Sequence, residues 1–161
     1  MIKKISTKQK GDIAEAKIAE LIILYGDIAL SCYKPISDDE GIDLIVKEKG
    51  SLKTMYIQIK SRFGDEKDNR YKTFTVKTTT IVENPLMAFI FCLFEIDKGD
   101  FSDSIWFVPA EDFIKLANKT KDGKFLRFVR GKKNGKNIWE NFLISKKELA
   151  NKIIERMRSI K

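Results

Sequence analysis

Apolar positions recur at helical spacing along residues 8–25, where Ile13, Ala14, Ile18, Leu21, Ile22 and Tyr25 fall on one side of a 3.6-residue repeat. Ser6 or Thr7 can cap this helix, and Gly26-Asp27 ends it. Shorter apolar runs follow, bounded by turn residues. They predict strands over 28–33, 42–47 and 55–60, the last two joined as a hairpin about Gly50-Ser51. Between the first two lies a loop, 34–41, with Pro35 and the acidic run Asp38-Asp39-Glu40; after the third comes a highly polar loop, 62–72. Residues 73–77 predict a short strand, 86–95 a buried one and 104–108 another. Pro109 opens a helix over 110–118. The Gly-, Lys- and Arg-rich stretch 121–136 predicts a hairpin around 125–129, and 141–144 a short strand. Ser145 then caps a final helix, with Glu148 completing a capping box and Leu149, Ile153, Ile154, Met157 and Ile160 as its apolar stripe. Helices at both ends, with strands between, predict an α/β domain with a mixed central β-sheet flanked by helices.

Four polar residues break this pattern. Asp43 opens the apolar run Ile42-Asp43-Leu44-Ile45-Val46, and Gln58 and Lys60 alternate with isoleucines in Tyr56-Ile57-Gln58-Ile59-Lys60. Side chains alternate faces along a strand, so Gln58 and Lys60 share one face. With the hairpin turn near Gly50-Ser51, Asp43 lies across from Gln58, which gathers Asp43, Gln58 and Lys60 on one side. A slip of one residue would scatter them. Glu15 shares a helical stripe with Gly11, Ile18 and Ile22, an unusual place for a carboxylate unless something polar faces it. Gly11 would let a backbone or a substrate come close.

Composition sets limits on this chemistry. The chain has 161 residues, 43% of them hydrophobic and 34% charged, which fits one globular domain over 1–161. Its net charge is +8, unevenly spread: residues 1–118 carry 17 Lys and Arg against 19 Asp and Glu, whereas 119–161 carry 14 against 4. A basic C-terminal segment, 119–161, on a near-neutral body suggests a polyanionic partner. In its Gly-containing loop Lys132, Lys133 and Lys136 suit nonspecific phosphate contacts, and Arg62, just after Lys60, can touch a phosphate as well. The two cysteines, Cys32 and Cys92, form no CxxC pair and read as buried free thiols of a reducing compartment. The N-terminus is polar, and the longest apolar run, 85–94, is half of the roughly 20 residues a membrane helix needs. A cytoplasmic chain with no membrane association is expected.

No histidine is present. Ser-His-Asp and Cys-His hydrolases, His-ligated zinc and histidine general bases are thereby excluded. Carboxylates, an amide and backbone carbonyls are hard oxygen donors, suited to Mg²⁺ or Mn²⁺. Asp43 can bind such a cation, Lys60 can position or activate water, Glu15 can hold the hydrated ion from the far side, and Gln58 can offer its amide oxygen.

Taken together, Gly11-x-x-x-Glu15, Gly41-Ile42-Asp43 and Gln58-Ile59-Lys60 resemble the PD-(D/E)xK nuclease superfamily, with the nearer likeness to Holliday-junction-resolvase-like and Mrr-like members. The likeness covers Gly11 to Lys60. It implies a restriction-endonuclease-like core and a divalent-metal-dependent DNA endonuclease acting on duplex or branched DNA. It also implies that Asp43 is a metal ligand, that Glu15 binds or orients metal and that Lys60 assists the attacking water. Gln58 stands where the family usually has an acid, which removes one negative charge; some Mrr-like members carry glutamine there. Many such nucleases work as homodimers, and a homodimer is left open here. The rival reading from a different class is a catalytically inactive nucleic-acid-binding or assembly module that keeps the fold.

Overall fold

A computed structural model describes residues 4–37, 39–64, 73–131 and 137–161. Three of the basic residues expected to contact phosphate, Lys132, Lys133 and Lys136, lie outside the described residues, as does Asp38 of the acidic run.

The chain opens with helix α1 (Thr7–Tyr25). Ser6 caps it: the Ser6 hydroxyl accepts from the Gln9 amide N–H, and Gln9 Oε1 accepts from the Ser6 N–H, a reciprocal capping box. Strands β1 (Leu30–Tyr33), β2 (Leu44–Glu48) and β3 (Thr54–Gly64) follow. β1 starts two residues later than the apolar run implies, because Asp27 and Ile28 take positive φ (46° and 58°) and turn the chain first. β3 continues through Ser61, Arg62 and Phe63, so the polar loop expected from Arg62 onward begins later. Pairing with the apolar strand β5 keeps those residues extended despite their polarity.

Next come β4 (Thr73–Lys77), β5 (Met87–Glu95), β6 (Asp100–Phe101), β7 (Ser104–Pro109), helix α2 (Ala110–Leu116), β8 (Asn118–Lys119), β9 (Phe125–Val129), β10 (Leu143–Ser145) and helix α3 (Leu149–Ser159). The two-residue strands β6 and β8 are too short to leave a sequence pattern. Ser145 caps a turn of 3-10 helix that leads into α3, with Glu148 answering its backbone N–H as expected.

The central sheet runs β1-β2-β3-β5-β7-β10, with β6 paired to β5 beyond that path. All its pairings are antiparallel except β3 with β5. The sheet is therefore mixed, and its one parallel step includes Gln58, Lys60 and Arg62, which run from the buried core out to the exposed end of β3. Helices α1 and α3 bury Ile18, Ile22, Leu149, Ile153 and Met157 against Ile57, Ile59, Ile90 and Phe107 on one face. On the other face α2 and a small second sheet, β4-β9-β8, close over an aromatic cluster. There Phe128 stacks on Phe91 and Trp139 with ring centroids 4.5 Å apart in both cases, and Trp106 meets Phe128 edge-on. Trp106 and Trp139 are core residues.

The sequence separation of charge is partly undone in space. On and beside α3, Lys146 pairs with Asp100, Arg156 with Glu111 and Arg158 with Glu48, acids that all precede the basic segment 119–161. Among the described residues no helix is long and apolar enough to cross a membrane.

Candidate active site

β2 is shorter than β3, and the site forms where β2 stops. The last paired position of that ladder is Leu44 with Ile57, and Asp43 N–H still donates to the Ile57 carbonyl at 2.9 Å. Continuing that register would set Asp43 opposite Gln58, as the hairpin predicts, but the ladder ends one position short of that pair, with Gly50 at positive φ in its turn. Instead of continuing the ladder, Asp43 turns its side chain to the neighbouring strand. Its Oδ2 accepts the backbone N–H of Ile59. The carboxylate thus takes a bond that another strand residue would have supplied, and β3 runs on past it paired with β5.

Asp43 and Glu15 line one cavity of about 190 Å³, together with Lys8, Asp12 and Lys34. The helix stripe that made Glu15 conspicuous does face something polar. Lys34 Nζ donates to Glu15 Oε2 at 2.6 Å and lies 3.7 Å from Asp12 Oδ1. The hydrogen bond with Glu15, helped by the charges of both acids, raises the Lys34 pKa against a smaller opposing effect of burial. Asp12 is held below the ordinary carboxylate range, chiefly by the Lys8 ammonium bonded to it. Asp12 and Lys8 could have been found at helical spacing from Glu15. Lys34, on a loop after β1, leaves no such signal.

Gln58 is 3% exposed and is one of two buried polar residues among those described. Its Nε2 donates to Thr80 Oγ1 at 3.3 Å, and Thr80 in turn donates to the Lys77 carbonyl at 2.8 Å. Gly41 takes positive φ (72°) and lies so close that a Cβ there would come within 2.4 Å of Gln58 Nε2. The glycine of Gly41-Ile42-Asp43 is therefore needed twice, for backbone shape and for space.

Lys60 lies two residues beyond Gln58 on the same face. It lines a second cavity, of about 510 Å³, with Ile59, Arg62 and the first turns of α1 at Lys10 and Gly11. Nothing stands within 4 Å of a Cβ built on Gly11, so that glycine borders open space. The Asp43–Ile59 bond links the two cavities, since each partner lines one of them. Arg62 is tied down: its Nε donates to the Thr73 carbonyl at 3.1 Å, and its guanidinium sits 6.0 Å above the Phe74 ring. Both cysteines are free; burial pushes the Cys32 thiol to about 11 and the fully buried Cys92 thiol further still.

As donors, Glu15, Asp43 and Gln58 are all oxygen ligands. Among the described residues no group of three or more Asp, Glu, Cys or His could hold a metal ion. That set is too poor for a dehydrated cation in a protein cage. It does fit a hard ion that keeps several waters and needs one or two carboxylates.

The PD-(D/E)XK endonuclease family matches residues 5–127 of the chain, which include all four residues discussed above. Among solved structures, the bacterial homing endonuclease I-Ssp6803I is similar over 97% of this chain and 99% of its own, at 18% identity and a TM-score of 0.56. The Holliday junction resolvase Hjc from Archaeoglobus fulgidus covers 81% of this chain and 97% of its own, at 11% identity and a TM-score of 0.42. No curated protein matches by sequence.

Proposed function

We propose, from the premise that the chain belongs to the PD-(D/E)XK endonuclease family, that it hydrolyses phosphodiester bonds in DNA with the help of Mg²⁺ or Mn²⁺. Nucleases of this family generally use divalent metals, and the fold is restriction-endonuclease-like. One observation carries the reading. Asp43 is fixed by the Ile59 N–H at the point where β2 leaves β3, and Gln58 and Lys60 are the residues on either side of Ile59.

Asp43 would hold the ion, with Glu15 on the other wall of their cavity, and Gln58, buried beside Thr80 on β3, would offer its amide oxygen. When bound, the ion supplies charge for the phosphate and a water of lowered pKa. The protein's own residues do the rest. Asp43 is aimed by a backbone N–H and so needs no reorganisation. Lys60 orients the attacking water and offsets negative charge as it grows on the phosphate. Lys34 pairs with Glu15 until a cation takes its place. The cavity between β3 and the start of α1 gives the scissile strand room beside Lys10 and Gly11.

The test is cleavage of labelled duplex, single-stranded, flap and four-way-junction DNA with Mg²⁺ or Mn²⁺. Asp43→Asn and Lys60→Ala should each abolish cutting while the fold persists. Gln58 favours the second reading, an inactive DNA-binding module, because it withholds a charge from the metal. DNA binding without cleavage, equal in the wild type and both variants, would establish that reading instead.

A further inference from the structure

On the far side of the aromatic cluster a separate cavity of about 360 Å³ opens beside β5 and β7. Its lining includes Leu93, Glu95, Ser102, Trp106, Arg130 and Leu143. That volume is at the small end of ligand sites. Two polar groups there have no hydrogen-bond partner among the described residues: the indole N–H of Trp106, on a residue 3% exposed, and the hydroxyl of Ser102. Buried donors are nearly always paired, so these two call for an acceptor. Close by, the Glu95 carboxylate is mostly buried and pairs with Lys98.

The guanidinium of Arg130 lies 5.3 Å over the Trp106 ring, and Arg130 is exposed. It is therefore free to swing aside or to stack on a planar guest. The cavity also lies on the sheet face that carries Lys60, opposite the face on which α1 packs. Lys60 pairs with Phe91, and Phe91 with Trp106, so the three occupy one rung across β3, β5 and β7. Strand spacing puts the Cα atoms of Lys60 and Trp106 about 10 Å apart, a reach of a few nucleotides.

We infer that this cavity receives one unpaired nucleobase of the DNA substrate, with its ring against Arg130, Leu93 and Leu143. Trp106 N–H and the Ser102 hydroxyl donate to its ring nitrogen or carbonyl, and Glu95 accepts from its amino group. The inference rests on the nuclease reading for its substrate class. The mixed charge of the lining argues against a phosphate, which a buried carboxylate would repel. An amino group next to an acceptor selects cytosine over thymine, since a carboxylate accepts from the cytosine amino group. A base taken out of the stack into a polar-floored pocket is a general device of enzymes acting on DNA.

The experiment follows the two tryptophan indole N–H resonances of the ¹⁵N-labelled protein while deoxycytidine, thymidine or inorganic phosphate is added. Trp106→Phe assigns the signals; Trp139→Phe does so by elimination if that variant does not fold. Deoxycytidine should move the Trp106 signal saturably, with the roughly millimolar affinity of so small a ligand. Thymidine should move it several-fold less, and Glu95→Gln should remove the difference. No shift with either nucleoside, or an equal shift with phosphate, overturns the proposal. Because the titration needs no cleavage, its outcome is separate from that of the nuclease assay. Cutting without a nucleoside shift defeats the pocket alone; a shift without cutting defeats the nuclease reading alone.

Discussion

Lys34 Nζ stands 2.6 Å from Glu15 Oε2, so one acid of the candidate active site already has a cation of its own. Any ion that uses Glu15 must compete with that ammonium. Lys34 is more than half exposed, so water screens the pair and its strength is modest, about 0.2–1 kcal/mol. Lys34→Met should tighten Mn²⁺ binding, measured by calorimetry, by up to roughly fivefold. Weaker binding in that variant would mean that Lys34 positions Glu15 for the metal rather than competing with it.

Asp43 plays a structural part as well as its proposed chemical one, and two variants separate them. Asp43→Ala strips the Ile59 N–H of its acceptor and should cost about 1–3 kcal/mol in denaturant unfolding. Asp43→Asn keeps an acceptor oxygen, so its stability should stay near that of the wild type. Both should lose metal binding. An Asp43→Asn protein that binds Mg²⁺ as tightly as the wild type would remove Asp43 from the metal site.

Gln58 is buried against Thr80 and Gly41, and a carboxylate in its place would be desolvated. Gln58→Glu should lower the melting temperature in chelator, by roughly 2–4 °C for each kcal/mol lost. Mg²⁺ should then raise it by more than it raises the wild type, because the ion binds only the folded site. Equal metal-induced shifts would show that position 58 does not face the cation.

Gly41→Ala tests the same packing from the other side. A methyl group there meets Gln58 Nε2 and Thr80 Cβ, and the positive φ disfavours any side chain. The backbone effect alone is about 1–2 kcal/mol. Thermal unfolding should show at least that loss, along with reduced metal affinity as Gln58 is displaced.

Acid should weaken the Asp100–Lys146 pair. Burial raises the Asp100 pKa, but bonds from the Lys146 ammonium and the Phe101 N–H outweigh it and leave the carboxyl below its usual 3.8. A folded pKa below the unfolded one means stability that is fully present above about 3.8 and is lost as pH falls through the lowered value. Lys146→Met should flatten that part of the stability curve; an unchanged acid limb would show that the pair adds nothing.

Local contacts are legible in the sequence, and distant ones are not. The α1 repeat, the turn at Gly50 and the alternation around Gln58 fix their own geometry within a few residues, so spacing alone brings Asp43 alongside the Ile57–Ile59 stretch of β3. Lys34 reaches Glu15 only because β1 returns along α1, and no spacing encodes that. Thr80 meets Gln58 only through the connection from β4 to β5. The second sheet is equally hidden, since β4 and β9 are ordinary strands until Phe74 and Phe128 meet edge-on beneath the central sheet. The basic segment 119–161 suggests a polyanionic partner by charge alone, yet three of its cations, Lys146, Arg156 and Arg158, pair with Asp100, Glu111 and Glu48.

The tie between β3 and α3 bears on when the site can exist. Lys53, at the hairpin that carries Asp43 and Gln58, donates to the carbonyls of Met157 and Ile160 at the end of α3. α3 also packs on α1, the helix that carries Glu15. A ribosome makes the Gly11–Lys60 segment early and α3 only after β10. The parallel partner β5 arrives in between, and long-range pairings of this kind form slowly. All the candidate catalytic residues are thus synthesised well before the elements that clamp them, and a nascent chain long enough to carry the motif still lacks the scaffold to use it.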